Sequence, residues 1–177
     1  MIRPILIHPD PRLKKVCDPV AEIDDDLRKL AHDMFETMYH APGIGLAAPQ
    51  IGVNARLIVM DCSQRDEDGE GEEPHPIAMV NPEILEASEE LREHEEGCLS
   101  IPDVYAPISR PAEVVVRWQD LEGGEKQAKM SGIWATCVQH EIDHLNGKLF
   151  IDYLGPMRRQ MITSKMKKLK RDRAKVA

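Results

Sequence analysis

The clearest pattern in the chain is a helical one. Leu27, Leu30, Ala31, Met34, Phe35 and Met38 recur at three- and four-residue spacing and define one apolar face. Asp24 or Asp25 can cap this helix, with further acid in its first turn, and it should stop at His40, Ala41, Pro42 and Gly43. Before it, Pro4, Pro9, Pro11 and Pro19 predict an extended, turn-rich lead-in over residues 1–20. After it, the glycines of residues 43–50 read as a helix-exit loop running into a small strand. Residues 55–61 form an apolar strand, and 63–76, acidic with glycine and proline, a solvent loop. Residues 77–81 read as a short strand and 84–96 as a separate one, preceded by Pro82 and ended by Gly97. Residues 113–119 are a strand, 120–124 its hairpin turn and 125–131 its return. Gly132 then opens a helix with Ile133, Cys137, Val138 and Leu145 on its apolar faces and Gly147 beyond its end. Gly155 and Pro156 start the last helix, whose stripe is Met157, Met161, Ile162, Met166 and Leu169. Without repeats or a linker, the reading is α+β: mixed, mainly antiparallel strands around a central helix, with a C-terminal helix, in a single domain over residues 1–177.

Composition narrows the class. The 177 residues, 42% apolar and 31% charged, are those of an ordinary soluble protein with room for a proper core. No stretch approaches the length of a membrane span, and the apolar run at the N-terminus is too short for a secretory signal. The expected location is cytoplasmic, with no membrane partner. The four cysteines, Cys17, Cys62, Cys98 and Cys137, are then core residues or chemistry rather than disulfides. The net charge of −8 hides an asymmetry: residues 157–177 carry nine Lys/Arg and one Asp, a net +8, and the rest carries −16. A basic tail on an acidic body fits a polyanionic partner, and it equally fits a solvated helix end.

The candidate chemistry lies in the central helix. His140-Glu141-Ile142-Asp143-His144 is His-Glu-x-x-His. At about 100° per residue the two imidazoles sit one turn apart on one face, where they can share a metal ion, with Glu141 beside them to act on a water. A solvated histidine pair is the plain alternative. No histidine follows His144, and Phe150 stands where a longer zinc-protease motif would need one. The third ligand therefore comes from upstream. Cys137, a turn before His140, suits a buried apolar role better; Cys98, between Gly97 and Leu99, can present a thiolate. Cys98 as a cysteine nucleophile is the rival reading, and it leaves the histidine pair unexplained.

Three stretches carry a resemblance: Gly-Ile-Gly-Leu-Ala-Ala-Pro-Gln at 43–50, Glu-Gly-Cys-Leu-Ser at 96–100, and Gln-His-Glu-Ile-Asp-His-Leu-Asn-Gly at 139–147. In this order and separation they resemble the signature motifs of the peptide deformylase family, over roughly residues 5 to 155. The resemblance implies a hydrolase that removes the formyl group from the N-terminal formyl-methionine of new polypeptides and releases formate. It implies Cys98, His140 and His144 as metal ligands, with water in the fourth position and Fe2+ in cells, where Zn2+, Ni2+ or Co2+ can substitute. It implies Glu141 as the proton shuttle, and Gln50 and the backbone N–H of Leu99 as donors to the oxyanion. Ile44 and Gly45 would run beside the substrate, Ile44 and Ile133 would wall the methionine side chain, and Glu96 would support the ligands. The basic C-terminal helix would dock on the ribosome. One position departs from the pattern: many deformylases carry an arginine where this chain has Tyr105, and Arg110 comes later.

Overall fold

The computed structural model describes residues 1–63 and 70–176. Part of the expected solvent loop, residues 64–69, therefore lies outside the described residues. Helix α1 (Asp25–His40) begins as expected, with the Asp24 carboxylate accepting from the Leu27 N–H at 2.9 Å. Strands β1 (Gly45–Ala47), β2 (Leu57–Met60), β3 (Ile77–Ala87), β6 (Glu113–Gln119) and β7 (Glu125–Ser131) form an antiparallel five-stranded sheet in the order β1-β2-β3-β6-β7. Strands β4 (Leu91–Cys98) and β5 (Ile101–Pro111) form a separate two-stranded ladder. Helix α2 (Gly132–Leu145) follows β7 directly, and α3 (Pro156–Val176) closes the chain.

Strand β2 explains the layering. Leu57 and Val59 pack with Leu27, Ala31, Met34 and Met38 of α1. Ile58 and Met60 pack with Val138, Ile142 and Leu145 of α2. Side chains alternate across a strand, so a strand covered on both faces must be apolar throughout, and all of β2 is buried. A third cluster joins Ile101, Ala106 and Ile108 of β5 to Phe150 and Ile151 and to Ile162 and Met166 of α3. The α+β class, with mainly antiparallel strands around α2 and a C-terminal helix, is the observed one.

Two strand expectations need correction. Residues 77–81 and 84–96 are not two strands split at Pro82. Strand β3 continues through Pro82, because Asn81 takes φ +50 and the register with β6 shifts between Val80 and Glu83. This bulge absorbs the proline where a regular ladder could not. The chain then turns and starts again as β4. Strand β5 was not anticipated, since Pro102, Pro107 and Pro111 argue against a strand. Among the described residues it pairs with β4 alone, so its other edge makes no ladder that a proline would break.

Candidate metal centre and active-site cavity

Helix α2 brings His140, Glu141 and His144 inside the protein, with all three buried. Cys98 reaches them from the end of β4, where the β4–β5 register shifts between Glu96 and Cys98 and the chain turns back to Ile101. The Cys98 Sγ lies 3.4 Å from His144 Nε2, and one donor atom from each of Cys98, His140 and His144 falls within 4.8 Å of the others. One thiol and two imidazoles so gathered could hold a divalent cation with a coordination position to spare. Cys137 is not in this group; its Sγ lies 3.6 Å from the Ile44 carbonyl. His32, Asp33 and Glu36 of α1 also cluster, but two of them are exposed and Asp33 is paired with Arg3 at 2.8 Å.

The surroundings orient the candidate ligands. His140 Nδ1 meets Glu96 Oε1 at 2.9 Å, which leaves Nε2 for the centre. Glu96 is clamped by Arg110, whose Nε and Nη2 donate to its two oxygens at 2.7 and 3.0 Å. Arg110 Nη1 also donates to Asp143 Oδ2 at 2.8 Å, and the Tyr153 hydroxyl donates to that same oxygen at 2.8 Å. A line of charge therefore runs from Tyr153 through Asp143, Arg110 and Glu96 to His140. Burial favours the neutral form of Glu96, but its bonds to His140 and Arg110 outweigh that and lower its pKa.

Burial also works against charge on His140, yet Cys98, Glu96 and Glu141 together raise its pKa well above the ordinary histidine value. Surroundings that draw a proton onto an imidazole equally favour a cation in the proton's place. His144 is pushed the other way, by burial first and then by His140, Arg110 and Lys14, so its ring stays neutral and free to ligate. Glu141 is pushed up to about 7, mainly by burial, with His140 pulling down and Glu96 pushing up. Its Oε1 lies 3.7 Å from His140 Nε2, and its buried Oε2 has no hydrogen-bond partner among the described residues. An orphaned carboxylate oxygen beside three converging donor atoms fits a site that takes a metal ion and water.

A cavity of about 370 Å³ opens over these groups, with Ile44, Gly45, Gln50, Cys98, Leu99, Ile133, His140 and Glu141 on its walls; His144 lies behind them. Gln50 is held by its own helical turn, Ala48–Ile51: its Oε1 accepts from the Ala47 N–H at 2.9 Å. Its Nε2 donates to Ser100 Oγ at 3.1 Å and lies 3.5 Å from Cys98 Sγ. The amide nitrogen thus faces the candidate ligands. Strand β1 is an edge of its sheet, and the Ile44 carbonyl accepts from the Asp61 N–H at 2.9 Å. Alternation along the strand then turns the Gly45 N–H and C=O to the open side. A Cβ at Gly45 would stand 2.9 Å from Cys137 Sγ and 3.0 Å from the Glu141 side chain, so glycine suits this close approach.

Every site residue expected from the sequence is in or directly behind this cavity. The support from Arg110, Asp143 and Tyr153 was not anticipated. Its signal is an arginine sharing the buried face of β5 with Ala106 and Ile108, visible only once β5 is known to be a strand.

The family model for polypeptide deformylase matches residues 2–160. The chain belongs to the polypeptide deformylase family. A peptide deformylase of Rhizobium meliloti is 52% identical over 172 residues, covering 97% of this chain and 96% of that one. The structure of peptide deformylase from Ehrlichia chaffeensis superposes with a TM-score of 0.91 at 40% identity, over 98% of this chain and 99% of that one. A class I type b deformylase from Acinetobacter baumannii with Met-Ala-Ser bound gives 0.81 at 36% identity, over 87% and 99%. Deformylases are enzymes that take the formyl group from nascent peptides. No helix among the described residues is long and apolar enough to cross a membrane.

Proposed function

We propose that this protein hydrolyses the formyl group from the N-terminal formyl-methionine of newly made polypeptides in the cytoplasm, releasing formate. The observation that carries this reading is the convergence of Cys98, His140 and His144 donor atoms within 4.8 Å, beside Glu141 and Gln50 in one cavity. Cys98, His140 and His144 would hold the metal, Fe2+ in the cell, with Zn2+, Ni2+ or Co2+ able to replace it; a thiolate with two imidazoles suits such ions. When bound, the ion supplies Lewis acidity, lowering the pKa of a coordinated water toward neutrality.

The protein groups then divide the work. The edge of β1 at Ile44 and Gly45 takes the peptide as an added strand, and Ile44 and Ile133 wall the methionine side chain. Water attacks the formyl carbon, and Glu141 takes its proton. The Gln50 amide N–H and the Leu99 backbone N–H donate to the oxyanion that forms. Glu141 passes the proton to the departing amine as the carbon–nitrogen bond breaks. Burial, which favours the protonated form of Glu141, suits a carboxyl that takes a proton and returns it.

The test is formate release by anaerobically purified protein of known metal content, with formyl-Met-Ala-Ser beside unformylated Met-Ala-Ser. Only the formylated peptide should react. Gln50→Ala should retain the metal and lose about 100- to 1,000-fold in turnover, roughly 3 kcal/mol of barrier. A variant near wild-type rate with metal bound removes Gln50 from the mechanism. The exposed cations of α3 support ribosome docking of the enzyme where its substrate emerges.

A further inference from the structure

Two cysteines that the proposed mechanism does not use meet in the core. Cys62 follows β2 and Cys137 sits on α2, and both are buried in the apolar cluster between that strand and that helix. Neither is in a disulfide. Their thiols share a hydrogen bond, and the Cys137 Sγ lies 3.6 Å from the Ile44 carbonyl. The bond with Cys62 first, and burial second, push the Cys137 thiol well above its ordinary value, so it stays protonated. Cys137 stands on the wall of the active-site cavity with Gly45 and Glu141, and Cys62 is set back from that wall. A Cβ at Gly45 would stand 2.9 Å from the Cys137 sulfur. The pair is therefore a buried, neutral dithiol that the cavity reaches through Cys137.

An occupant of this pair must be small, must take both sulfurs on one side, and must leave no net charge in the core. A two-coordinate ion such as mercuric ion holds its sulfurs on opposite sides and would have to wedge them apart in a close-packed interior. Zinc asks for four ligands, and the pair joins no larger cluster of ligand side chains among the described residues. Trivalent arsenic is pyramidal. It takes two sulfurs as neighbours, as hydrogen-bonded thiols already are, and points its third bond away from them. Arsenous acid is small and uncharged near neutral pH. Two arsenic–oxygen bonds break and two arsenic–sulfur bonds form. Each thiol proton leaves with a hydroxyl as water, arsenic stays trivalent, and no charge is buried. Cys137 makes the first bond from the cavity wall, and Cys62 closes the second within the protein at high effective concentration. We propose that Cys62 and Cys137 form a dithiol site for trivalent arsenic, entered from the active-site cavity. The bound arsenic stands beside Gly45 and Glu141, so it stops turnover while Cys98, His140 and His144 keep their metal. Only that loss of turnover rests on the deformylase reading; the binding does not.

The test incubates the zinc-loaded protein with sodium arsenite without oxygen and follows bound arsenic, bound zinc and formate release from formyl-Met-Ala-Ser. One arsenic per chain should bind with zinc retained and turnover lost, and excess dithiothreitol should remove the arsenic and restore turnover. Cys62→Val, close in size and apolar, should keep zinc and turnover and bind arsenic about 100-fold more weakly, because capture at two points becomes capture at one. X-ray absorption at the arsenic edge of the wild-type protein needs no variant and should show two sulfurs and one oxygen. Three sulfurs, or zinc released in step with arsenic bound, would put the arsenic on Cys98 and overturn the inference. Undiminished binding by Cys62→Val overturns it too, as does a wild-type protein that binds no arsenic at a large excess of arsenite. Arsenic bound as described by a protein that releases no formate even before treatment would keep the dithiol site and overturn the deformylase reading instead.

Discussion

Helices α2 and α3 both carry titratable side chains, α2 on the inside and α3 on the outside. In α2, His140, Glu141 and His144 are buried, and Asp143 is tied to Arg110 and Tyr153. In α3, only Ile162 and Met166 are buried, and the lysines face solvent. The difference lies in where each helix finds its partners. A buried charge needs a specific neighbour, so α2 depends on Glu96 from β4 and Arg110 from β5. A solvated charge needs none, so α3 can change its charges while keeping a two-residue anchor. The chemistry of α2 is a property of the whole fold; the charge of α3 is a property of its own sequence.

The largest expected effect comes from breaking the network behind α2. Arg110→Met leaves Glu96 and Asp143 without their buried cation and should destabilise the protein by about 3–5 kcal/mol in urea unfolding. Metal affinity should fall by roughly 10- to 100-fold, since Glu96 no longer holds His140 in place. An Arg110→Met protein with wild-type stability and metal affinity would mean that α2 needs no partner from β5.

A smaller effect tests the seam between α3 and the body. His8 Nε2 meets Thr163 Oγ1 of α3 at 2.8 Å, and the buried His8 Nδ1 has no partner among the described residues. Burial first, then Lys14, lower the His8 pKa below 6.5, with Asp152 pulling the other way and Lys170 and Lys167 adding smaller downward effects. Above 6.5 the ring is neutral whether folded or unfolded, and no penalty arises. As pH falls from 6.5 toward the depressed folded value, the unfolded chain binds a proton that the folded one resists, and stability drops. His8→Gln should lose less stability than wild type over that window in melting experiments. Identical pH slopes would remove His8 from this role.

The smallest effect on stability belongs to the outer face of α3. Changing Lys165, Lys168 and Arg171 to Gln should alter stability by no more than about 0.5 kcal/mol each, because all three are exposed and glutamine is a good helix former. The same triple variant should co-sediment less with ribosomes at low salt. Strong destabilisation would show that α3 depends on its charges after all.

Legibility in the sequence follows the same division. Helices α1, α2 and α3 and the β6–β7 hairpin were readable because periodicity, caps and turn residues are local. The candidate ligands His140 and His144 were readable from one helix turn, Cys98 from the want of a downstream histidine, and Gln50 and Leu99 through the motifs that resemble deformylases. Strand β5 was not, because Pro102, Pro107 and Pro111 obscure a strand that only its pairing with β4 reveals. Arg110 was hidden with it: an arginine is recognisable as a buried clamp only once Ala106 and Ile108 are known to share its face. Pro82 misled for a related reason, since a bulge is a property of two strands in register.

One thiol from β4 and two imidazoles from α2 should hold a single metal ion. X-ray absorption at the metal edge of the zinc-loaded protein tests it most directly. The expected first shell has one sulfur at about 2.3 Å and two imidazole nitrogens at about 2.0–2.1 Å, with the sulfur lost in Cys98→Ala and kept in Cys137→Ala. A shell with two sulfurs, or one that keeps its sulfur in Cys98→Ala, would contradict it.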